Sequence, residues 1–271
     1  MTWRCRSHST WLIMDLNLII YALNLAAIYS LMAIGISLLW SSVGMINMAH
    51  GATFVVSGYS TFIASGWLVP ILKASLAGTA FYTPVLVFSL TSVALLSGAI
   101  FGAIIYLIAF LPLHDKPNFA IRSLIATLAI NIATVQFLLW SFGPRQKALP
   151  KLFGFGRIDF LDFSIRYDQA ATIIGTLLLV GFMLLWFKNS RIGLEIRAMM
   201  QNPEGAALSG ISIRRRALPV MMLTGSLAGM AAILLSQTSF FSPTAELCLL
   251  LKVNNRSPWR IRICCSAMLV L

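Results

Sequence analysis

The sequence predicts an all-α membrane protein, a polytopic bundle of about six transmembrane helices. Of its 271 residues, 59% are hydrophobic and only 10% are charged, and the mean hydropathy is +0.86. A soluble domain averages about 25% charged residues, so this composition excludes most soluble folds. The charges cluster between long apolar runs, which do not alternate with the period of two that is typical of barrel strands.

The apolar runs set the number of spans, because a transmembrane helix needs about 20 apolar residues. Residues 16–72 contain no Asp, Glu, Lys or Arg and have room for two spans, with a turn at residues 41–44. We predict spans at residues 16–40, 44–69, 84–111, 123–142, 169–187 and 217–240. They form one domain over residues 1–251, with a basic loop at 188–216 and an atypical tail at 252–271.

Small residues recur at a spacing of four in two of the predicted spans. Ala94, Gly98 and Gly102 share one helix face, and Gly225 and Gly229 share another. Small side chains let membrane helices approach closely, so this pattern predicts helix packing. The alternative is that Gly and Ala are simply common in membrane helices.

Both ends of the chain depart from the membrane pattern. Arg4 and Arg6 precede an apolar stretch too short for a signal peptide, and Met14 is a second candidate start. Beyond Val253 the tail contains Trp259 and adjacent cysteines but no acidic residue. We expect this tail to reflect a truncation or a change of reading frame, with an ordinary polar tail as the alternative.

Several function classes are excluded by the absence of their motifs. The sequence has no phosphate-binding P-loop, no H-E-x-x-H motif and no G-x-S-x-G motif, and its cysteines show no C-x-x-C spacing. The net charge of +12 is spread over short loops rather than over one soluble basic face, which excludes a nucleic-acid partner. We therefore expect no enzyme activity and no cofactor on this chain.

One polar cluster interrupts the first uncharged run. Asn47 and His50 are three residues apart within Gly44–Gly51, so on a helix they would share a face. Polar groups at membrane depth are costly unless they face protein or a watery path. The cluster, with Gly51, is either the lining or hinge of a translocation path or a set of packing contacts between helices.

The basic loop contains the pattern of a short capped helix. Asn202 is a good N-cap, Pro203 suits the first helical position, Glu204 complements the helix dipole, and Gly210 fits the position after the last turn. A short helix outside the membrane suggests a docking element for another protein. The alternative is a helix that rests on the lipid surface.

Three segments resemble the permease subunits of branched-chain amino acid ABC importers. Gly44–Gly51 resembles the signature in the first half of that family. The segments 191–198 and 206–211 are similar to its cytoplasmic loop, a degenerate form of the coupling motif of ABC importers. Phe142–Arg145 with Ala148–Pro150 is similar to the external loop after the fourth span.

The resemblance implies an inner-membrane permease that works with several partners. These are a second permease subunit, ATPase subunits that carry ATP and Mg, a periplasmic substrate-binding protein and the surrounding lipid. It also implies a path or hinge at Asn47, His50 and Gly51. The implied coupling residues are Arg197, Asn202, Glu204, Ala206, Ala207 and Gly210.

Three alternatives remain at this point. One is a related importer for urea, short amides or other amino acids, and another is an inactive fragment. A third is a channel or carrier independent of ATP, which predicts intramembrane carboxylates that the sequence lacks. Lys and Arg are equally numerous in the loops on the two sides, so the positive-inside rule leaves the orientation open. The family resemblance places the N-terminus in the periplasm.

Overall fold

The computed structural model describes residues 8–76, 82–114, 116–143, 157–160 and 163–238, together with Arg145, Lys147 and Leu149. Within this part, the side chains of residues 8–17, 76, 157–160, 163–166, 203 and 204 are not described. The helices are α1 His8–Val43, α2 His50–Leu76, α3 Tyr82–Ile105, α4 Leu111–Leu113, α5 Phe119–Phe142, α6 Tyr167–Asn189, α7 Arg191–Gln201, α8 Pro203–Leu208 and α9 Ile213–Thr238. A single π-helical turn, Tyr106–Phe110, makes α3 and α4 continuous.

Six helical stretches in the described part are long and apolar enough to cross a membrane. They are Leu18–Val43, His50–Ser75, Tyr82–Leu113, Phe119–Phe142, Tyr167–Asn189 and Ile213–Thr238. The prediction of an all-α bundle with about six spans is confirmed. An antiparallel hairpin that was not predicted, β1 Arg157–Phe160 with β2 Phe163–Arg166, lies between α5 and α6.

The second helix begins six residues later than predicted. Gly44 has φ +68°, and its N–H donates to the carbonyl of Trp40 at 3.0 Å. This is a left-handed C-cap, a conformation that glycine adopts without a Cβ clash, and it ends α1. The chain does not return to a helix until His50, so the prediction of helix from residue 44 is wrong.

Helix α9 forms the centre of the bundle and packs against α1, α2 and α3. In the most apolar stretch of α9, 61% of the residues are buried, compared with 22% in that of α5 and 17% in that of α6. The predicted glycine faces meet where α3 packs against α9. A Cβ on Gly98 would come within 3.0 Å of the Gly225 carbonyl, and a Cβ on Gly229 would come within 3.0 Å of the Ala94 carbonyl. The packing interpretation of these residues is therefore confirmed.

One end of the bundle lies beside α7 and α8, and we call it the α7–α8 end. Three spans finish there: α1, α3 with α4, and α6. Three others start there: α2, α5 and α9. The π-helical turn lies there, and the Tyr106 hydroxyl donates to the backbone carbonyl of Arg214 at 2.8 Å. The ring of Phe110 stacks on those of Tyr106 and His114, with centroids 5.2 and 4.8 Å away. The Tyr106–Arg214 hydrogen bond holds the start of α9 to the π-helical turn.

Candidate functional site

The connection between α1 and α2 is a non-helical segment, Gly44–Ala49, which we call the linker. Met45, Asn47 and Ala49 are buried in it, whereas Gly44 is exposed. The N–H of Met48 donates to Thr127 Oγ1 on α5 at 3.1 Å. The Thr127 hydroxyl lies 3.2 Å from the carbonyl of Ile46 and 2.8 Å from that of Ser123. Irregular backbone is tolerated at membrane depth only where protein or water satisfies its polar groups, and α5 supplies that here.

The linker lies beside the interior of α5 rather than beside its first turn. Thr127 is five residues beyond Arg122, which is about 7.5 Å deeper along α5 at 1.5 Å per residue. Met45 and Ala49 are fully buried, and Asn47 is 6% exposed. The chain therefore turns back further into the bundle than the level of Arg122 on α5.

Asn47 and His50 do not share a helix face, so that prediction is wrong. Asn47 lies in the linker, where its Oδ1 accepts a hydrogen bond from the N–H of Ala49 at 3.0 Å. Asparagine side chains compete in this way for nearby backbone N–H groups, which favours a turn over a helix. Asn47 thus orients the start of α2, and His50 and Gly51 are its first two residues.

His50 lies where α1, α2 and α9 meet. It is 1% exposed, and a Cβ built on Gly35 of α1 would lie 2.8 Å from both Cε1 and Nε2 of its ring. The same Cβ position is 3.7 Å from the carbonyl of Thr224 on α9. Among the described residues, none forms a hydrogen bond with His50 Nε2. The His50 imidazole is therefore a polar group at the junction of three helices.

A row of polar side chains on α5 faces the linker, and this row was not predicted from the sequence. Ser123 and Thr127 are fully buried and Asn131 is 4% exposed. Their spacing of four places them on one helix face, a signal that was present in the sequence. Asn131 Oδ1 has no hydrogen-bond partner within the described part of the chain.

Beyond this row, α2, α3 and α5 enclose an open groove of about 560 Å³. Val56, Tyr59, Ser60 and Ile63 of α2 form one wall. The other walls are formed by Phe101, Ala133, Thr134, Phe137, Leu138, Ser141 and Phe142. The lining is mainly apolar with scattered hydroxyl groups.

The basic loop contains α7 and α8 and has the predicted capping. Asn202 Oδ1 accepts from the N–H of Gly205 at 3.0 Å, and Pro203 occupies the first turn of α8. Gly210 has φ +85°, and the N–H of Ile211 donates to the Ala206 carbonyl at 3.0 Å, as in a Schellman motif. The predicted start and end of this helix are confirmed. The side chain of Glu204 lies outside the described residues.

Helix α8 presents an apolar side chain to its surroundings. Leu208 is 91% exposed and Ala207 is also exposed, whereas Ala206 is buried against the bundle. On α7, Leu194 is 62% exposed and Met200 41%. Exposed apolar side chains outside the spans are candidate contact points for protein or membrane.

Helix α7 connects this surface to the spans. Arg197 donates to the carbonyls of Gly193 at 3.4 Å and Lys188 at 3.3 Å, which ties α7 to the end of α6. Glu195 forms an ion pair with Arg216 of α9, with Arg216 Nη2 at 2.9 Å from Glu195 Oε1. A displacement of α8 would therefore reach α9 through α7.

Six apolar helices, a non-helical linker between the first two and a short helix pair outside the spans define a polytopic membrane protein. The described part of the chain contains no group of three or more His, Cys, Asp or Glu residues that could hold a metal ion. The sequence matches the family described as branched-chain amino acid transport system, permease component, over residues 18–253, and the chain belongs to that family. It is accordingly a multi-pass protein of the inner membrane.

Curated relatives carry the same description. The high-affinity branched-chain amino acid transport system permease protein BraD of Pseudomonas aeruginosa is 26% identical over 224 residues, 81% of this chain and 70% of BraD. LivH of Escherichia coli K12, with the same descriptive name, is 26% identical over 228 residues, 79% of this chain and 68% of LivH. A protein of Methanocaldococcus jannaschii named "Probable branched-chain amino acid transport permease protein LivH" is 33% identical over 78% of this chain and 64% of that protein. No solved structure matches the chain significantly.

Proposed function

We propose that the chain forms the translocation pathway for branched-chain amino acids in an ABC importer, together with a second permease subunit. The names of the family and of its curated relatives support this substrate class. The observation that carries the pathway is the linker, a non-helical turn between α1 and α2 that contains the buried Asn47 and that α5 holds through Thr127. The path at this turn is lined by Asn47, His50 and Gly51, or these residues form its hinge.

Separate ATPase subunits dock on α8 and drive transport. The capped helix with its exposed Leu208 supports this role, because it is a rigid, apolar projection outside the spans. Asn202, Ala206, Ala207 and Gly210 set the shape of the projection, Glu204 occupies its first turn, and Arg197 holds α7 at the end of α6. ATP and Mg are bound on the ATPase subunits, since this chain has no P-loop motif.

The contacts also provide a route from the docking surface to the path. Closure of the ATPase subunits displaces α8, and the Glu195–Arg216 ion pair carries the displacement to α9. Thr224 of α9 lies beside His50, so movement of α9 changes the junction at which α2 begins. This is a two-state switch in which ATP binding favours one arrangement of the spans. A periplasmic binding protein delivers the substrate to the end of the bundle opposite α8.

The test is purification of the tagged chain from gently solubilised membranes, expressed with its candidate ATPase, second permease and binding protein. We expect an ATP-hydrolysing subunit to co-purify and ATP-driven [³H]leucine uptake by reconstituted vesicles. Competition with unlabelled leucine and with urea identifies the substrate class. Uptake that urea inhibits and leucine does not would overturn the assignment to branched-chain amino acids. A stably inserted chain that retains no ATPase would overturn the coupling role.

A further inference from the structure

We propose that the corner between α6 and α7 binds the phosphate of an anionic phospholipid through Lys188, Arg191 and Arg197. The lipid belongs to the leaflet at the α7–α8 end of the bundle, and its acyl chains lie along the exposed leucines of α6. Three observations carry this inference: the backbone geometry of the corner, the grouping of the three cations and their continuity with the apolar face of α6. The site is additional to the proposed transport function.

The corner is a sharp and well-defined turn of the backbone. The N–H of Ser190 donates to the carbonyl of Trp186 at 2.8 Å and completes α6, and the N–H of Leu194 donates to the Ser190 carbonyl at 3.0 Å as α7 begins. A Cβ on Gly193 would lie 2.7 Å from the Cα of Phe187, so α7 folds back closely against the end of α6. Side chains on the last turn of α6 and on the first turns of α7 are therefore neighbours.

Three cations lie together at this corner. Lys188 is on the last turn of α6 and Arg191 is the first residue of α7, and both side chains are exposed. Arg197, further along α7, reaches back to the corner, because its Nη2 donates to the Lys188 carbonyl at 3.3 Å. A guanidinium has five N–H donors, so Arg197 keeps donors for a further acceptor.

These cations have no acidic partner on their own segment. Between Asp168 and Glu204 the only acidic residue in the sequence is Glu195, and it forms an ion pair with Arg216 of α9. Arg191 also begins a helix, where a positive charge opposes the helix dipole. The cluster is therefore not explained by the stability of α7, and its charge favours an anion from outside the chain.

The exposed face of α6 indicates that this anion is a lipid headgroup. Leu184 and Leu185 are 66% and 61% exposed, and Lys188 follows them by four and three residues, so the three side chains share a helix face. Trp186 is two residues before Lys188, and tryptophan is typical of the level at which a span leaves the hydrocarbon. Leucines followed by cations match the acyl chains and the phosphate of one phospholipid.

The test measures binding of phosphatidylglycerol to the full chain, purified in detergent with its co-purifying subunits. Thermal stabilisation during titration with this lipid gives the dissociation constant, and phosphatidylcholine, which has no net charge, is the comparison. The double variant Lys188→Gln, Arg191→Gln changes exposed side chains and keeps the backbone carbonyl that Arg197 contacts, so it is expected to fold. We expect its dissociation constant for phosphatidylglycerol to rise at least tenfold, because each cation near an anionic lipid contributes about fivefold.

Two further variants are controls. Lys188→Arg, Arg191→Lys keeps both charges and should bind phosphatidylglycerol within about threefold of wild type. Lys73→Gln, Arg145→Gln removes the same charge from exposed positions at the opposite end of the bundle and should change the dissociation constant less than about twofold. Equal losses in the two glutamine variants would show that net charge alone attracts the lipid, and would overturn the proposal.

Other outcomes would contradict the site as well. An unchanged dissociation constant in Lys188→Gln, Arg191→Gln would place the lipid elsewhere, and equal stabilisation by inorganic phosphate would indicate a free anion. Loss of the ATPase subunit from the purified complex of this variant would indicate that the cations contact that protein. Loss of the second permease subunit would indicate that a partner helix covers α6. The titration does not require leucine uptake, so failure of the transport proposal leaves this test intact.

Discussion

The N–H of Met48 donates a hydrogen bond to Oγ1 of Thr127 at 3.1 Å, and this contact joins α5 to the linker between α1 and α2. The two residues are 79 positions apart in the chain. Helix α5 is otherwise little buried, so the contact sets the position of α5 beside the proposed path.

Replacement of Thr127 by Val removes the hydroxyl and leaves the N–H of Met48 without a partner inside the bundle. We expect a destabilisation of about 1–3 kcal/mol, the cost of an unsatisfied buried donor. Thermal unfolding in detergent measures it. Thr172→Val is the control, because that fully buried hydroxyl donates to the Asp168 carbonyl of its own helix. Equal melting temperatures for the two variants would contradict the role of the contact.

The close approach of α3 and α9 gives a second prediction. In Gly98→Ala the new methyl group meets the Gly225 carbonyl at less than 3.0 Å, so the helices must separate. Overpacking of this kind costs about 1–3 kcal/mol. We expect a lower melting temperature and a lower yield of monodisperse protein. Gly181→Ala of α6, where a Cβ would meet nothing within 4 Å, should behave as wild type.

The polar residues at the start of α2 give a third prediction. The double variant Asn47→Leu, His50→Leu removes the acceptor for the Ala49 N–H and the ring between α1 and α9. Loss of the acceptor for the buried Ala49 N–H costs about 1–3 kcal/mol. Leucine keeps both positions apolar, so insertion should be largely retained. We expect leucine uptake to fall at least tenfold. If inserted protein and uptake fall in parallel, the two residues make packing contacts instead of forming a path. Asn47→Ser keeps an acceptor for the Ala49 N–H, so this variant should show part of the leucine uptake.

The end of α8 gives a fourth prediction. Gly210→Trp adds bulk beside the docking surface and forces an L side chain to adopt φ +85°. We expect loss of the ATPase from the purified complex or loss of ATP-driven uptake.

Two variants separate these causes. Gly210→Ala introduces the backbone strain alone, about 1–2 kcal/mol, and should retain much of the coupling. Ser209→Trp adds bulk at φ −78° and should uncouple. Unchanged uptake in Gly210→Trp would contradict the assignment of α8 as the coupling element.

Local features of the fold were predictable from single segments of the chain. Each apolar run crosses the membrane because its own composition favours lipid, so the six spans follow without knowledge of their neighbours. The capping of α8 follows from Asn202 and Gly210 for the same reason: both act on adjacent backbone groups. The linker was mispredicted because an apolar composition does not distinguish buried helix from buried turn.

The sequence by itself determined the all-α membrane class, the number of spans, the small-residue faces and the capped helix, since each depends on neighbours within a few residues. Only the tertiary structure decided which partners these features have. The contacts of Thr127 with the linker, of Gly98 with Gly225 and of Glu195 with Arg216 join separate segments. Such contacts depend on how whole helices pack, which local composition does not specify.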